Sequence, residues 1–346
     1  MKLSEFDYSF PKELIAQHPL AERDASRMLV VNRSANTWQH RHVSELPAFL
    51  NAGDVLVINV TKVEPMRLFG EFRKGQALEV LLMEPLREQA SPEVWRCLAK
   101  KAKRIDVGEK IFFGLSAQAV VTGHEEGYLL LAFDAGHRER AMERRGAPPL
   151  PPYIKRTDLV SYSEEDRKRY QTVFAEQPGS AAAPTAGLHL TEKTLEELKA
   201  KGIEIVPVTL HVGLDTFQPL RVDTIEEHRM HGERIEISPA AADALNRAKL
   251  EGRRIIACGT TSVRALESSW DQEKIVAGEK TTHLFITPGY EFHVIDGMLT
   301  NFHLPKSTLL MLVSAFVGKD FLFECYQEAI KEQYRLFSYG DCMLIV

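Results

Sequence analysis

Four short segments in the C-terminal half gather small residues, hydroxyls and histidines. Gly179-Ser-Ala-Ala-Ala-Pro-Thr-Ala-Gly-Leu-His189 has no bulky side chain before Leu188, so a ligand can approach its backbone closely. A well-packed loop between helices would use the same small residues. Val208-Thr-Leu-His-Val-Gly213 reads as a strand delivering His211 at its carboxyl end, where open α/β sheets bind ligands, although a structural strand histidine fits the pattern as well. Cys258-Gly-Thr-Thr-Ser-Val-Arg264 reads as strand, tight turn and helix start. Free N–H groups and the positive end of the helix dipole suit a carboxylate or phosphate there, with Arg264 adding a cation one turn later. A plain N-cap accounts for Thr260, Thr261 and Ser262 equally well. Thr300-Asn-Phe-His-Leu-Pro-Lys-Ser-Thr308 again sets polar side chains at the mouth of an apolar helix. Four such turns predict one shared pocket. His189, His211 and His303 are its candidate proton-transfer groups, because a neutral imidazole exchanges protons near physiological pH. Thr185, Gly187, Thr260, Thr261, Arg264 and Asn301 are its candidate substrate contacts.

Other common chemistries find no motif. There is no G-x-x-x-x-G-K-[ST], no G-x-G-x-x-G after a strand, no G-x-S-x-G elbow and no H-E-x-x-H. His228 and His231 would share a face if their segment were helical, a spacing compatible with a metal, but a third ligand would have to come from afar. Cys97, Cys258, Cys325 and Cys342 form no C-x-x-C pair, as expected of reduced thiols in a cytoplasm.

The elements that must hold these turns read as follows. Met28–Val31 and Val55–Ile58 are short apolar runs with a helical pattern over Val43–Leu50 between them, which predicts a β-α-β unit with parallel strands. From about Met66 the texture changes to six short runs, beginning near Arg67, Leu78, Trp95, Lys110, Ala117 and Tyr128 and separated by turn residues such as Gly75, Gly108, Gly114 and Gly127. That spacing predicts a small all-β barrel or sandwich. Four prolines within residues 146–152 close the segment, since they can continue neither a helix nor a central strand. Afterwards α/β texture returns, with Thr191 and Ser238-Pro239 as helix starts and Gly202 and Gly252 as helix ends. The expected fold is α/β, a large discontinuous α/β domain over residues 1–65 and 152–346 with a barrel-like β domain inserted at residues 66–151.

Composition narrows the class further. The 346 residues carry 43 Lys+Arg and 48 Asp+Glu, a formal net charge of −5, with 44% hydrophobic residues, as in an ordinary soluble protein. The apolar stretch Leu309–Phe316 is far below the ~20 residues needed to cross a bilayer, so no membrane partner is expected. The N-terminus turns acidic before any apolar signal region forms. A net −5 argues against nucleic acid only until it is divided. Residues 95–170 hold 15 basic and 11 acidic side chains, leaving the remainder at −9. Lys100, Lys101, Lys103 and Arg104, with Lys155 and Arg156 after the prolines, could form a stripe for phosphates, or simply a solvated basic face.

Several blocks resemble a known family. Pro184–His189, Val208–Gly213, Gly259–Arg264, Thr300–Phe316 and Phe337-Ser-Tyr-Gly-Asp341 closely resemble the S-adenosylmethionine:tRNA ribosyltransferase-isomerases of queuosine biosynthesis. So do Arg23–Arg27, which adds Arg27 as a substrate-binding candidate, Pro151–Ile154 and Tyr170–Val173. The blocks span nearly the whole chain in order, with departures at Val60, Met66 and Asp215. The resemblance implies a cytoplasmic, monomeric transferase that moves the ribosyl part of S-adenosylmethionine onto 7-aminomethyl-7-deazaguanine in a tRNA anticodon loop. Adenine and methionine leave, and the sugar becomes the epoxycyclopentanediol of epoxyqueuosine. It implies no metal and no resident cofactor, S-adenosylmethionine being a consumed substrate. The alternatives are a non-catalytic RNA-binding protein, which has no use for three histidine-bearing turns, and a metal-dependent hydrolase, which would recruit His228 and His231.

Overall fold

The structure, a computed structural model, describes residues 1–73, 75–87, 92–100, 102–156, 162, 164–213, 220, 222–230 and 232–346. Its chain divides into two compact units: Met1–Lys62, Pro151–Ile154 and Gln171–Val346 form one, and Val63–Leu150 with Lys155–Tyr170 form the other. The second unit therefore takes in a stretch beyond the proline-rich segment. Buried Arg156, hydrogen-bonded to Asp166, ties that stretch together, and Arg167 donates to the Gly146 carbonyl at 2.7 Å.

The larger unit is built on a nine-stranded mixed sheet. Its strand order is Gly278–Thr282, Glu233–Ile237, Glu204–Leu210, Val55–Asn59, Ile255–Cys258, Gly297–Asn301, Cys342–Ile345, Arg27–Asn32 and Thr37–His42. The four strands from Glu204–Leu210 to Gly297–Asn301 run parallel. Val55–Asn59 and Ile255–Cys258 are wholly buried, as expected of apolar runs covered on both faces. One face packs on helices Pro239–Leu250, Thr260–Ser268, Thr308–Val317 and Lys319–Lys331, through residues such as Val57, Leu245, Val263 and Leu322. The other packs Leu56, Leu299 and Leu344 on Leu46, Leu190 and Leu198. Thr191 and Ser238 cap their helices as expected, accepting from the backbone N–H groups of Thr194 and Ala241.

One expectation fails at the N-terminus. Arg27–Asn32 and Val55–Asn59 are not a parallel β-α-β pair, because three strands stand between them. Arg27–Asn32 is followed by an antiparallel edge strand, Thr37–His42, and Val43–Ala48 is a six-residue 3-10 helix with Pro47 inside it rather than an α-helix. The edge strand, Thr-Trp-Gln-His-Arg-His, is exposed on nearly every residue and so shows no apolar run.

The smaller unit is a closed barrel. Six strands, Arg67–Phe72, Gln76–Arg87, Glu93–Ala99, Tyr128–Phe133, Gln118–Glu125 and Lys110–Phe112, pair in that order, and Glu71 opposite Phe112 closes the ring. Closure removes the exposed sheet edges that an open β unit would carry. Leu68, Val80, Leu82, Cys97, Ile111, Val121, Leu129 and Leu131 are buried. At Gly70 a side chain would meet the Phe113 ring at 2.8 Å, which explains a glycine inside a strand.

Candidate active site

The parallel strands end together at one edge of the sheet, and the chemistry-bearing turns follow them. Strand Ile255–Cys258 stops at Gly259, whose φ of +89° suits glycine, and helix Thr260–Ser268 starts at the next residue. The neighbouring strand delivers Thr300 and Asn301 beside it, and Gly259 N–H donates to the Leu299 carbonyl at 2.7 Å. Asn59, at the end of its own strand, clamps Leu210: its Nδ2 donates to the Leu210 carbonyl at 2.9 Å and its Oδ1 accepts from the Leu210 N–H at 3.1 Å. Ser180 joins the first turn to the second, its Oγ accepting from Val212 N–H at 3.1 Å.

A cleft opens between these turns. Its walls include Pro184 and Thr185 from the first turn, Val212 from the second, Thr260 and Thr261 from the third, and Thr300 and His303 from the fourth. An adjoining lobe shares Thr185, His303 and Leu309 and adds Tyr153, Asn301, Phe337 and Ser338. Residues from all four segments thus meet in one place, at the carboxyl ends of parallel strands, where α/β sheets bind ligands.

The three histidines separate. His303 lines both lobes; its Nε2 lies 2.8 Å from Thr300 Oγ1, and Nδ1 has no partner among the described residues. Burial pushes its pKa down to about 3. His189 stands behind the wall, its Nε2 3.1 Å from Asn301 Nδ2. Burial, then the charges of Arg23 and Arg335, push it down to about 4. His211 is half-buried beside Gly179 rather than in the cleft wall, and burial with nearby Arg234 lowers its pKa.

Several other expected contacts are placed differently. Arg264 does not line the cleft; it is buried and ion-paired with Glu233, and its Nε donates to the Leu284 carbonyl at 3.2 Å. A buried guanidinium needs a carboxylate more than a helix start needs an additional cation. Gly187 is a packing glycine, where a Cβ would meet the Phe174 ring at 2.7 Å. Arg27 stacks over Tyr334, 3.8 Å from the ring centroid, and donates to the Glu332 carbonyl at 2.6 Å. Thr261 keeps its place: its Oγ1 is buried in the first turn of the helix with no partner among the described residues.

In the barrel unit Lys100, Lys103, Arg104 and Lys155 are exposed, Lys100 lying 3.4 Å from Glu79. Arg156 is buried against Asp166, so it cannot join a phosphate stripe without breaking that pair. Lys101 lies outside the described residues, as do His231 and Asp215. His228 is extended, not helical, and its ring meets Phe285 edge-on. Among the described residues no three His, Cys, Asp or Glu side chains cluster as metal ligands, and no helix is long and apolar enough to cross a membrane. Val60 and Met66, two of the departures, are buried apolar side chains. Tyr153, Phe337 and Ser338 escaped residue-by-residue reading because nothing in their local sequence marks a pocket; only their family-like blocks singled them out.

Fold and cleft together define an α/β protein with an inserted barrel and a polar cleft at its parallel strand ends. The chain belongs to the queuosine biosynthesis protein family, whose profile it matches over residues 3–345. It is 49% identical to the S-adenosylmethionine:tRNA ribosyltransferase-isomerase of Syntrophotalea carbinolica, over 100% of both chains. It is also 49% identical to that of Anaeromyxobacter sp. strain K, over 100% of this chain and 99% of the relative. The crystal structure of S-adenosylmethionine tRNA ribosyltransferase from Thermotoga maritima is similar with a TM-score of 0.56 and 37% identity, covering 99% of this chain and 100% of that one.

Proposed function

We propose that this chain is a cytoplasmic, monomeric S-adenosylmethionine:tRNA ribosyltransferase-isomerase. It transfers the ribosyl group of S-adenosylmethionine to the aminomethyl group of 7-aminomethyl-7-deazaguanine in a tRNA anticodon loop and isomerises it to the epoxycyclopentanediol of epoxyqueuosine. The bonds from C1′ to adenine, from C4′ to the ring oxygen and from C5′ to sulfur break; a carbon–nitrogen bond to the amine, a C1′–C5′ bond that closes the carbocycle and the epoxide carbon–oxygen bond form; adenine and methionine leave, and one proton is released. Family membership supports the reaction, and the convergence of four polar turns on one cleft is the observation that carries it to this chain.

The positive sulfur of S-adenosylmethionine acidifies the protons on C5′, so the site needs a neutral base. His303 is that base in this reading. Thr300 occupies Nε2, Nδ1 is left for the substrate, and burial keeps the ring neutral well below physiological pH. Thr260 and Thr261, at the start of a nine-residue helix, hold the methionine carboxylate through first-turn N–H groups and the Thr261 hydroxyl. The exposed lysines and arginine of the barrel hold tRNA phosphates. S-adenosylmethionine is consumed, and no resident cofactor or metal takes part.

Incubating purified protein with S-adenosylmethionine and tRNA bearing the aminomethyl-deazaguanine tests the reaction directly. Adenine release dependent on that tRNA, unaffected by a chelator, is expected. An absence of adenine with folded protein and intact tRNA overturns the reading.

A further inference from the structure

Asn301 is 2% exposed, and its amide orientation is decided by its surroundings rather than by choice of rotamer. Its Nδ2 lies 3.1 Å from the Phe337 carbonyl and 3.5 Å from the Asp341 carbonyl. Both are pure acceptors, so the reverse orientation would set oxygen against two oxygens. The same Nδ2 lies 3.1 Å from His189 Nε2, which must then be the acceptor, leaving the ring proton on Nδ1. Three acceptors surround one end of the amide. The other end, Oδ1, is buried without a partner among the described residues, a costly arrangement for an oxygen with no ligand to meet.

Asn301 lines the adjoining lobe with Tyr153, Phe302 and Phe337. The Tyr153 and Phe337 ring centroids are 5.1 Å apart. At that distance the two rings pack on each other and form one aromatic wall, which suits one face of a flat heterocycle, and a lone buried acceptor suits an N–H on its edge.

We infer that this lobe is a nucleobase subsite in which Asn301 Oδ1 accepts from a base N–H, and that His189 is a positioning residue that locks the Asn301 amide. The inference rests on the proposed reaction, which brings two such bases, the adenine of S-adenosylmethionine and the deazaguanine of tRNA. Their shared chemistry is an N–H donor on the edge of the base, the exocyclic amine in adenine and the ring N–H or exocyclic amine in deazaguanine.

The test is steady-state adenine release by wild type, Asn301→Ala, His189→Ala, His189→Gln and the double variant Asn301→Ala/His189→Ala, using S-adenosylmethionine and its analogue lacking the 6-amino group. Each alanine variant should raise the KM of one substrate about tenfold, and the double variant should be no worse than Asn301→Ala, because His189 acts through the amide. His189→Gln, which can still accept, should recover much of the loss. If adenine is the base held, wild type loses about tenfold on the analogue and Asn301→Ala loses no more. If deazaguanine is held, the KM for tRNA alone rises. Independent losses in the double variant, or His189→Ala abolishing kcat at unchanged KM, overturn the inference. Should the alanine variants not fold, Asn301→Leu, which keeps the side-chain volume and removes the acceptor, decides. Wild-type KM values there overturn it. An inactive wild type instead defeats the reaction itself, a distinguishable result.

Discussion

Thr300 Oγ1 and His303 Nε2 lie 2.8 Å apart, three residues from each other at the end of one strand, and this hydrogen bond turns the ring so that only Nδ1 is left for a substrate. His303→Ala should therefore lower kcat by about 10²–10⁴-fold, the usual range for a lost general base, with tRNA binding retained. His211→Ala, outside the cleft wall, should lose far less. Adenine release and solvent exchange at C5′ measure both, and equal losses would remove His303 from its role.

Burial of His303 and His189 has a pH signature. An unfolded chain protonates such imidazoles near pH 6.5, whereas the folded chain resists until about 4 at His189 and about 3 at His303. Between those limits the unfolded state binds more protons, so stability falls as pH drops from about 6.5 toward 3 and is unaffected by these groups above 6.5. Thermal unfolding of wild type and His303→Gln from pH 7.5 to 4.5 should show a flatter acid limb in the variant. Parallel curves would contradict it.

Arg264 and Glu233 form a buried pair, with side chains 5% and 6% exposed. Breaking such a pair from one side leaves a desolvated charge and costs on the order of 3–5 kcal/mol. Arg264→Ala and Glu233→Gln should each lower the midpoint of denaturant unfolding, with a double variant less damaged than the sum. A large change in substrate KM at unchanged stability would restore Arg264 as a direct ligand.

Gly187→Ala places a methyl 2.7 Å from the Phe174 ring and 3.0 Å from Thr172 Cγ2. Overpacking of this kind costs about 1–3 kcal/mol, and Phe174→Leu in the same chain should relieve it. Chemical denaturation of the single and double variants checks this; no relief would place the strain elsewhere.

On the barrel unit, neutralising Lys100, Lys103 and Arg104 together should weaken tRNA binding and flatten its salt dependence, the slope falling by up to about 0.9 for every phosphate left without its cation. Arg156→Ala should instead destabilise the protein, because its guanidinium is 6% exposed and held by Asp166. Binding isotherms from low to moderate salt, with unfolding curves, separate the two effects.

Periodicity and punctuation alone disclosed much of this molecule. Six apolar runs spaced by turn residues became the six barrel strands, since alternation and turn chemistry act within a few residues. Thr191 and Ser238 start their helices because caps satisfy local N–H groups. The edge strand Thr37–His42 stayed hidden, as an exposed strand needs no apolar residues to hydrogen-bond with its neighbour.

Residue types and spacing also determined the turns, and with them the family-like blocks and the candidate polar groups. Which of those groups share a surface was settled only when strands distant in the chain were laid side by side. His189, His211 and His303 look alike along the sequence, yet sheet order sets one in the cleft wall, one behind Asn301 and one beside Gly179. Arg264 and Arg156 read as free cations until folding buried them, and a buried charge must find its opposite. Local rules choose the elements; desolvation and long-range packing choose what each side chain faces.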